Sequence, residues 1–515
     1  MANKRLFAQT RQLPIATAKN AAGATAYSLT DAEALCQYVA TGTFGSTFYA
    51  SEQDEYARIQ AIVANVDSTT IAKAAVYGRE NANMKDTPAY LLAVLAARGE
   101  TRLLTKVFSR VVTNVKMLLN FVQIVRSGAT GRRSFGTAVK RLIQAWFYNK
   151  TGNQLFIASI GHSNPSLADV IKMVHPKSLN SEMDAVFKYI LDKDISEVSD
   201  NLPSKLEAFL DFKADTSNPV PEIPFMALTN FGLSKKQWEQ VAEDMPWNTL
   251  RMNLNNLSRK GVFENPTLVR KVAAKLADAD EVRKNAVFPY QLLTAYQNTT
   301  DVPQQVRNAL QDALEVATEN TPVLQGNVLV SVDVSGSMSW AATGNRGGVT
   351  SVTKCVDVAA LFASCILRNN ADAEVTAFDR AYFARIGLNP KDSVMTNATV
   401  LSKFGGGGTS IQLPLENAKD GKDVIILVSD NESWSGNRLG EATPLMKAWA
   451  AYKRRNPKCK LVLIDIQPAA TSQIAPSVKD VLCVGGFSDA VFDVIARFVN
   501  NPSDKFVDVV KSIEL

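Results

Sequence analysis

The chain has 515 residues, 46% of them hydrophobic and 21% charged, with a formal net charge of +6. That length exceeds one core and suits about two to four domains, and the composition is that of a globular protein, not a disordered one. The longest apolar runs, Val424–Val428 and Leu461–Ile466, have strand length, and the basic N-terminal stretch 1–20 lacks the apolar core of a secretory signal. A monomeric cytoplasmic protein with no membrane association is therefore expected.

The five cysteines (Cys36, Cys355, Cys365, Cys459, Cys483) are scattered, and the histidines number two, His162 and His175. Neither a disulfide framework, a zinc ribbon nor a hydrolytic triad is supported.

From about residue 28 to 320 the pattern is helix after helix. "TDAEALCQYVATG" opens on a Thr30 and Glu33 capping box and ends at Gly42. "DTPAYLLAVLAARGE" and "GTAVKRLIQAWFYNK" repeat an apolar stripe at three- and four-residue spacing. Helices of this length joined by short polar turns predict an α-helical repeat.

Within this half, residues 101–150 carry Arg102, Lys106, Arg110, Lys116, Arg126, Arg132, Arg133, Lys140, Arg141 and Lys150 and no acid. A solvated helix face normally mixes both signs, so an anionic partner is the economical explanation. In the helix from Gly136, the stripe Ala138, Val139, Leu142, Ala145 and Trp146 is read as core, leaving Lys140, Arg141 and Gln144 outward, with Arg132 and Arg133 in the preceding loop. The outward face lacks the large apolar side chains that an interfacial helix inserts, so nucleic acid is favoured over a membrane surface. Downstream, "DVIKMVHPKS" gathers Lys172, His175 and Lys177 at a helix end stopped by Pro176, where capping and RNA contact compete as readings of His175.

After Gln325 the rhythm changes. "NVLVSVDV", "AEVTAFD", "DVIILVSD", "CKLVLIDI" and "DVLCVGG" alternate with helical segments, the signature of a doubly wound sheet. The expected domains are thus 1–325, helical, and 326–515, α/β. Loops at the carboxyl ends of such strands converge on the ligand crevice. Asp333, Ser335 and Ser337, then Thr409 after four glycines, then Asp430, make a hard-oxygen set suited to Mg²⁺ or another hard divalent cation. Empty helix caps are the bland alternative. No nucleophile, P-loop or general base stands out, so a non-enzymatic protein is expected.

The set resembles the metal-ion-dependent adhesion site of von Willebrand factor A domains, whose D-x-S-x-S, Thr and Asp signature these five residues match. Over nearly the whole chain, "YSLTDAEALCQYVATGTFGSTFY", "GTAVKRLIQAWFYNK", "KMVHPK", "LTNFGLSKKQWEQVAEDMPWNTLRMNLNNLSRKGVF", "VFPYQLLTAY", "SVDVSGSM", "GGGGTS", "LVSDNESW" and "GGFSDAVFDVI" resemble, in order, the Ro 60 kDa autoantigen family with its TROVE module. The short loops look more like bacterial or viral members.

The resemblance implies a ring of HEAT-like repeats closed by the A domain. It implies small structured non-coding (Y-like) RNAs on the outer surface, single-stranded 3′ ends of misfolded RNAs in a central hole, and a 3′ exoribonuclease as a partner in RNA quality control. Carried over residue by residue, Lys140, Arg141, Lys172 and His175 form the RNA surface. Where the family often has a basic residue, Ala168 and Asp169 stand here, which implies a weaker or differently placed contact. The rival expectation is a metal-dependent protein–protein adaptor acting through the A domain. If about five of the basic side chains meet phosphates of one strand, log affinity for RNA falls against log salt with a slope of roughly −3.5, measurable by filter binding across a salt series.

Overall fold

The computed structural model of the chain describes residues 13–515 except 43, 162–163, 286, 288, 300, 320, 322, 343–352, 434–438, 487, 489 and 503. The basic N-terminal stretch to residue 12, His162, and single positions of the quoted motifs (Thr43, Phe288, Trp434, Phe487, Asp489) lie outside the described residues. No described helix is long and apolar enough to cross a membrane.

The chain divides into two compact units, residues 1–66 with 320–512 and residues 67–319 with 513–515. The first carries a six-stranded sheet in the order β5 (Tyr382–Phe383), β4 (Glu374–Phe378), β3 (Val328–Asp333), β6 (Val424–Ser429), β7 (Lys460–Asp465) and β9 (Val481–Gly485). All neighbours are parallel except β5, an antiparallel edge strand. β3 and β6 are buried at every position, as continuous β-branched runs covered by helices on both faces require. Trp449 and Tyr452 of helix Pro444–Arg455 pack with Leu329, Ile425, Leu427, Leu461 and Leu463 on one side. Helix Cys355–Asn369 packs on β3 on the other.

Residues 13–66, as far as they are described, belong with this sheet, which corrects the expected division at 325/326: they are not part of the helical half. A hairpin of β1 (Ala18–Lys19) and β2 (Thr25–Ser28) pairs through β2 with β8 (Thr471–Ser472). Helix α1 (Asp31–Thr41) starts on the expected capping box, Thr30 Oγ1 accepting from Glu33 N–H at 3.3 Å and Glu33 Oε2 accepting from Thr30 N–H at 2.9 Å. Its Gln37 lies on Gly485 so closely that a Cβ there has no room. Helix α2 (Glu52–Asn65) follows. Helical periodicity identifies α1 and α2 but says nothing about which core their apolar faces join.

The second unit is helical. α3 (Ser68–Glu80), α4 (Asp86–Ala97), α5 (Thr101–Val111), α6 (Val115–Ser127), α7 (Gly136–Tyr148), α8 (Gly152–Ser159) and α9 (Leu167–Val174) lead into further helices ending at Gln304–Ala317. α3 packs on α4 and α5, α4 on α6, and α5 on α7, the neighbour and next-but-one contacts of a repeat stack. The chain terminus returns to this unit: Arg110 donates to the Glu514 carbonyl at 2.6 Å.

The glycine loop before Thr409 illustrates how backbone freedom shapes the sheet's carboxyl end. Gly405 has φ +83, and a Cβ there would overlap the Val334 carbonyl oxygen. Gly405→Ala is expected to lower stability by about 2–3 kcal/mol, read from denaturant unfolding. Gly421→Ala, at φ +89 but facing open space, should cost only about 1 kcal/mol.

Candidate metal centre and nucleic-acid interface

Five sequence-predicted residues meet at the carboxyl end of the sheet. β3 terminates on Asp333, which is wholly buried. Its Oδ1 accepts from Ser335 N–H at 2.9 Å and its Oδ2 from the Ser429 hydroxyl at 2.7 Å. The Ser335 and Ser337 hydroxyl oxygens lie 3.2 Å apart. The glycine loop is laced to the same turn: Gly406 N–H donates to Val334 O and Gly336 N–H to Gly407 O, both at 2.8 Å. This loop carries Thr409, whose carbonyl accepts from the Ser433 hydroxyl at 3.4 Å. Asp430 follows β6, and its Oδ1 accepts from Glu432 N–H at 3.2 Å.

Burial and the neighbouring Asp430 raise the Asp333 carboxyl above the ordinary range. Asp430 is raised chiefly by burial, against the Ser337 hydroxyl, which holds it down. Two like charges out of water are costly unless something positive lies between them. Thr409 Oγ1 and Asp430 Oδ2 are buried and have no hydrogen-bond partner. Orphaned buried oxygens are rare, and these two, together with the paired serines, fit a hard cation. Among the described residues no three His, Cys, Asp or Glu side chains are arranged to hold a metal ion, so hydroxyls would have to complete the donor set.

Sequence reasoning missed the supporting acids. Asp379, after β4, accepts from Gly407 N–H at 3.0 Å and from Ala381 N–H at 2.8 Å, bracing the glycine loop. Asp465 ends β7 opposite Ser429 and is raised well above the carboxylate range by burial, with Asp430 and Glu432 adding to it. Both sit at strand ends, a signal that was available. A third support was not: Asn20 Nδ2 donates to Ser433 O at 2.8 Å, and Ala22 N–H to Glu432 Oε2 at 3.0 Å, across more than four hundred residues.

The basic segment of the helical unit sorts into structural and free cations. In α7 the buried residues are Val139, Ile143, Trp146 and Phe147, so Val139 and Trp146 of the expected stripe are core, while Ile143 and Phe147 take the places expected for Ala138, Leu142 and Ala145. Ala145 is exposed, Lys140 and Gln144 are half-buried, and Arg141 is exposed. Gln144 Nε2 donates to Val174 O at 2.7 Å, and Tyr148 Oη accepts from Lys177 N–H at 3.2 Å. The two predicted motifs are therefore adjoining, with Arg141, Lys172, His175 and Lys177 all exposed. His175 caps α9 at φ 49, a left-handed conformation that usually belongs to Gly or Asn. Asp169, the departure from the basic pattern, serves the N-cap: its carboxylate accepts from Ser166 N–H at 2.8 Å.

Other cations are spent internally. Arg132 donates to the carbonyls of Ala96, Ser134 and Phe135, each at 2.6 Å. Arg110 forms a bidentate pair with Glu80 at 2.7 Å, so an acid outside the acid-free segment neutralises it. Arg133 stays exposed, its side chain lying against Gly128. Lys150 sits over the Trp146 ring at 5.4 Å. Arg132→Ala should cost about 2 kcal/mol of stability, because three carbonyls lose a charged donor. Lys140→Ala and Arg141→Ala should stay within about 0.5 kcal/mol; urea unfolding followed by tryptophan fluorescence separates the two classes.

Comparison with known proteins agrees with this architecture. Residues 219–335 match the TROVE domain, and residues 327–499 match the Ro60 vWA domain. The candidate metal residues lie inside the Ro60 vWA match; the α7 and α9 face lies before the TROVE match. The chain is 23% identical over 525 residues to a Deinococcus radiodurans protein named RNA-binding protein RO60, covering 95% of this chain and 96% of that one. It is 22% identical over 448 residues to the Caenorhabditis elegans protein of the same name, covering 72% and 67%. The crystal structure of the Deinococcus radiodurans RO (RSR) protein superposes with a TM-score of 0.62 at 22% identity, over 92% of this chain and 100% of that chain. A helical repeat region followed by a mixed-sheet A domain is thus the shared fold.

Proposed function

The chain belongs to the Ro60 family, with a TROVE domain followed by a Ro60 vWA domain, and on that premise we propose that it is a non-enzymatic RNA-binding protein. Its relatives are named RNA-binding proteins. The observation that carries the reading to particular residues is the joining of α7 to the end of α9 through Gln144 and Tyr148. That joint sets Lys140 and Arg141 beside Lys172, His175 and Lys177, and among the described residues none of the four lysine and arginine side chains is paired with a carboxylate. Cations without a carboxylate partner suit phosphates, and an exposed imidazole suits a base edge or ring.

Small structured non-coding RNAs of the Y type are the ligand class the family resemblance implies for this face. Single-stranded 3′ ends of misfolded RNAs are a second class held by the helical repeats. The role is RNA quality control in the cytoplasm, and an exoribonuclease partner supplies any degradation.

Asp333, Ser335, Ser337, Thr409 and Asp430 would hold Mg²⁺ or a similar hard cation. When bound, the ion supplies a positive charge with an open position for an anionic oxygen. The protein's own part is to keep five oxygens converged: Ser429 and Ser335 N–H orient Asp333, and Asp379 keeps the glycine loop, and Thr409 with it, in place.

A Lys140→Ala, Arg141→Ala, Lys172→Ala variant should bind a small structured RNA at least about tenfold more weakly, with a salt slope shallower by about 2; unchanged affinity and slope would remove this surface from consideration. Thr409→Val should fold normally, since the orphaned hydroxyl leaves with its burial cost. Mg²⁺ should then no longer raise its thermal midpoint, whereas it does so for the unaltered protein. A protein that purifies free of RNA, and captures a partner only with Mg²⁺, would favour the adaptor reading.

A further inference from the structure

The glycine loop that carries Thr409 has an exposed arginine, Arg380, lying against it, and a lysine and an aromatic ring lead directly into it. Arg380 lies in the turn between β4 and β5. Its Nε rests against the glycine loop, 3.3 Å from where a Cβ on Gly407 would stand and 3.8 Å from one on Gly408. Gly408 immediately precedes Thr409. Lys403 and Phe404 enter the same loop, and Phe404 packs on Phe383 of β5 with ring centroids 5.9 Å apart. Arg385 follows two residues beyond Phe383.

Arg380, Arg385 and Lys403 are exposed. Among the described residues, none of the three forms an ion pair with a carboxylate. From 380 to 415 the chain carries Arg380, Arg385, Lys391 and Lys403 against the single acid Asp392. The acids at this end of the sheet, Asp333, Asp379, Asp430 and Asp465, are buried instead. The acids are therefore withdrawn from solvent while the basic side chains are exposed, and Arg380 lies on the glycine loop itself.

Two independent observations point to a ligand. The orphaned Thr409 Oγ1 and Asp430 Oδ2 call for a cation, and the rim calls for an anion beyond it. A lone side-chain carboxylate would satisfy the ion but leave Lys403, Arg385 and the rings without a role. A chain of regularly spaced charges bearing flat bases uses all of them.

We propose that the metal centre binds a single-stranded RNA segment. One phosphate takes the open position of the cation held by Asp333, Ser335, Ser337, Thr409 and Asp430. Arg380 and Lys403 contact that phosphate and its neighbour, and a base packs against Phe404. The inference rests on the metal reading above and deepens it by naming the anion.

The test uses full-length protein carrying Lys140→Ala, Arg141→Ala and Lys172→Ala, which weakens the helical face. It is titrated with fluorescein-labelled oligo(U) of about ten nucleotides, in Mg²⁺ and in EDTA, with anisotropy as the readout. Binding is expected in Mg²⁺ and is expected to be lost in EDTA. Adding Arg380→Ala and Lys403→Ala should weaken it about tenfold or more, with Arg380→Lys recovering part of the loss. Circular dichroism and the Mg²⁺-dependent rise in thermal midpoint show that these variants still fold and load the ion.

The proposal is overturned if the oligonucleotide binds equally well without Mg²⁺, or if the Arg380 and Lys403 substitutions leave its affinity unchanged. It is also overturned if a glutamate-bearing peptide binds in Mg²⁺ where oligo(U) does not. Failure of the helical RNA surface is read separately, as structured-RNA binding by the unaltered protein in EDTA, where the metal centre is silent.

Discussion

The parallel register of β3 on β6 is the constraint from which the sheet-bearing unit follows. Val332 stands opposite Val428, so the two strands end together, with Asp333 level with Ser429 and Asp430 next in line. β4 brings Phe378 level with Asp333, with Asp379 next in line, and β7 brings Asp465 level with Ser429. Four carboxylates at one buried edge would repel one another, and hydroxyl and backbone N–H donors from Ser335, Ser429, Gly407, Ala381 and Glu432 face three of them. Where the donors end, Thr409 Oγ1 and Asp430 Oδ2 stay buried without a hydrogen-bond partner.

The helical unit solves a different problem, which is to keep cations free. A basic residue on a helix surface finds either an acid, a carbonyl or solvent. Arg110 takes the first course through Glu80 and Arg132 the second through three carbonyls. Arg141, Lys172 and Lys177 take the third, and Gln144 and Tyr148 hold their elements together without neutralising them. A run of basic residues in sequence is therefore an upper bound on a binding surface, and packing decides its true membership.

The convergence of Asp333, Ser335, Ser337, Thr409 and Asp430 was legible because strand ends are legible: an apolar run that stops at an acid, followed by Ser and Gly, marks a buried strand leaving the sheet at its carboxyl end. Asp379 and Asp465 carried the same signal and could have been read with it. The α7 stripe was misplaced by roughly one position, since Ala138 and Ala145 count as apolar in a pattern but bury little area compared with Ile143 and Phe147. The contacts of Asn20 and Ala22 with the metal loop had no local trace, because they join backbone and side-chain groups separated by most of the chain.

By itself the sequence determined the alternation of helix and strand, the change from a helical to an α/β rhythm near residue 320, and the types of oxygen and nitrogen available at each loop. These are local properties, set by side-chain periodicity and turn chemistry over a few residues. Only the tertiary structure decided that residues 13–66 join the sheet-bearing unit, which arginines are consumed by carbonyls, and that Arg380 lies over the glycine loop beside Thr409. Those outcomes depend on which faces find each other across long stretches of chain, and burial and hydrogen-bond satisfaction select among pairings that the local pattern leaves equally open.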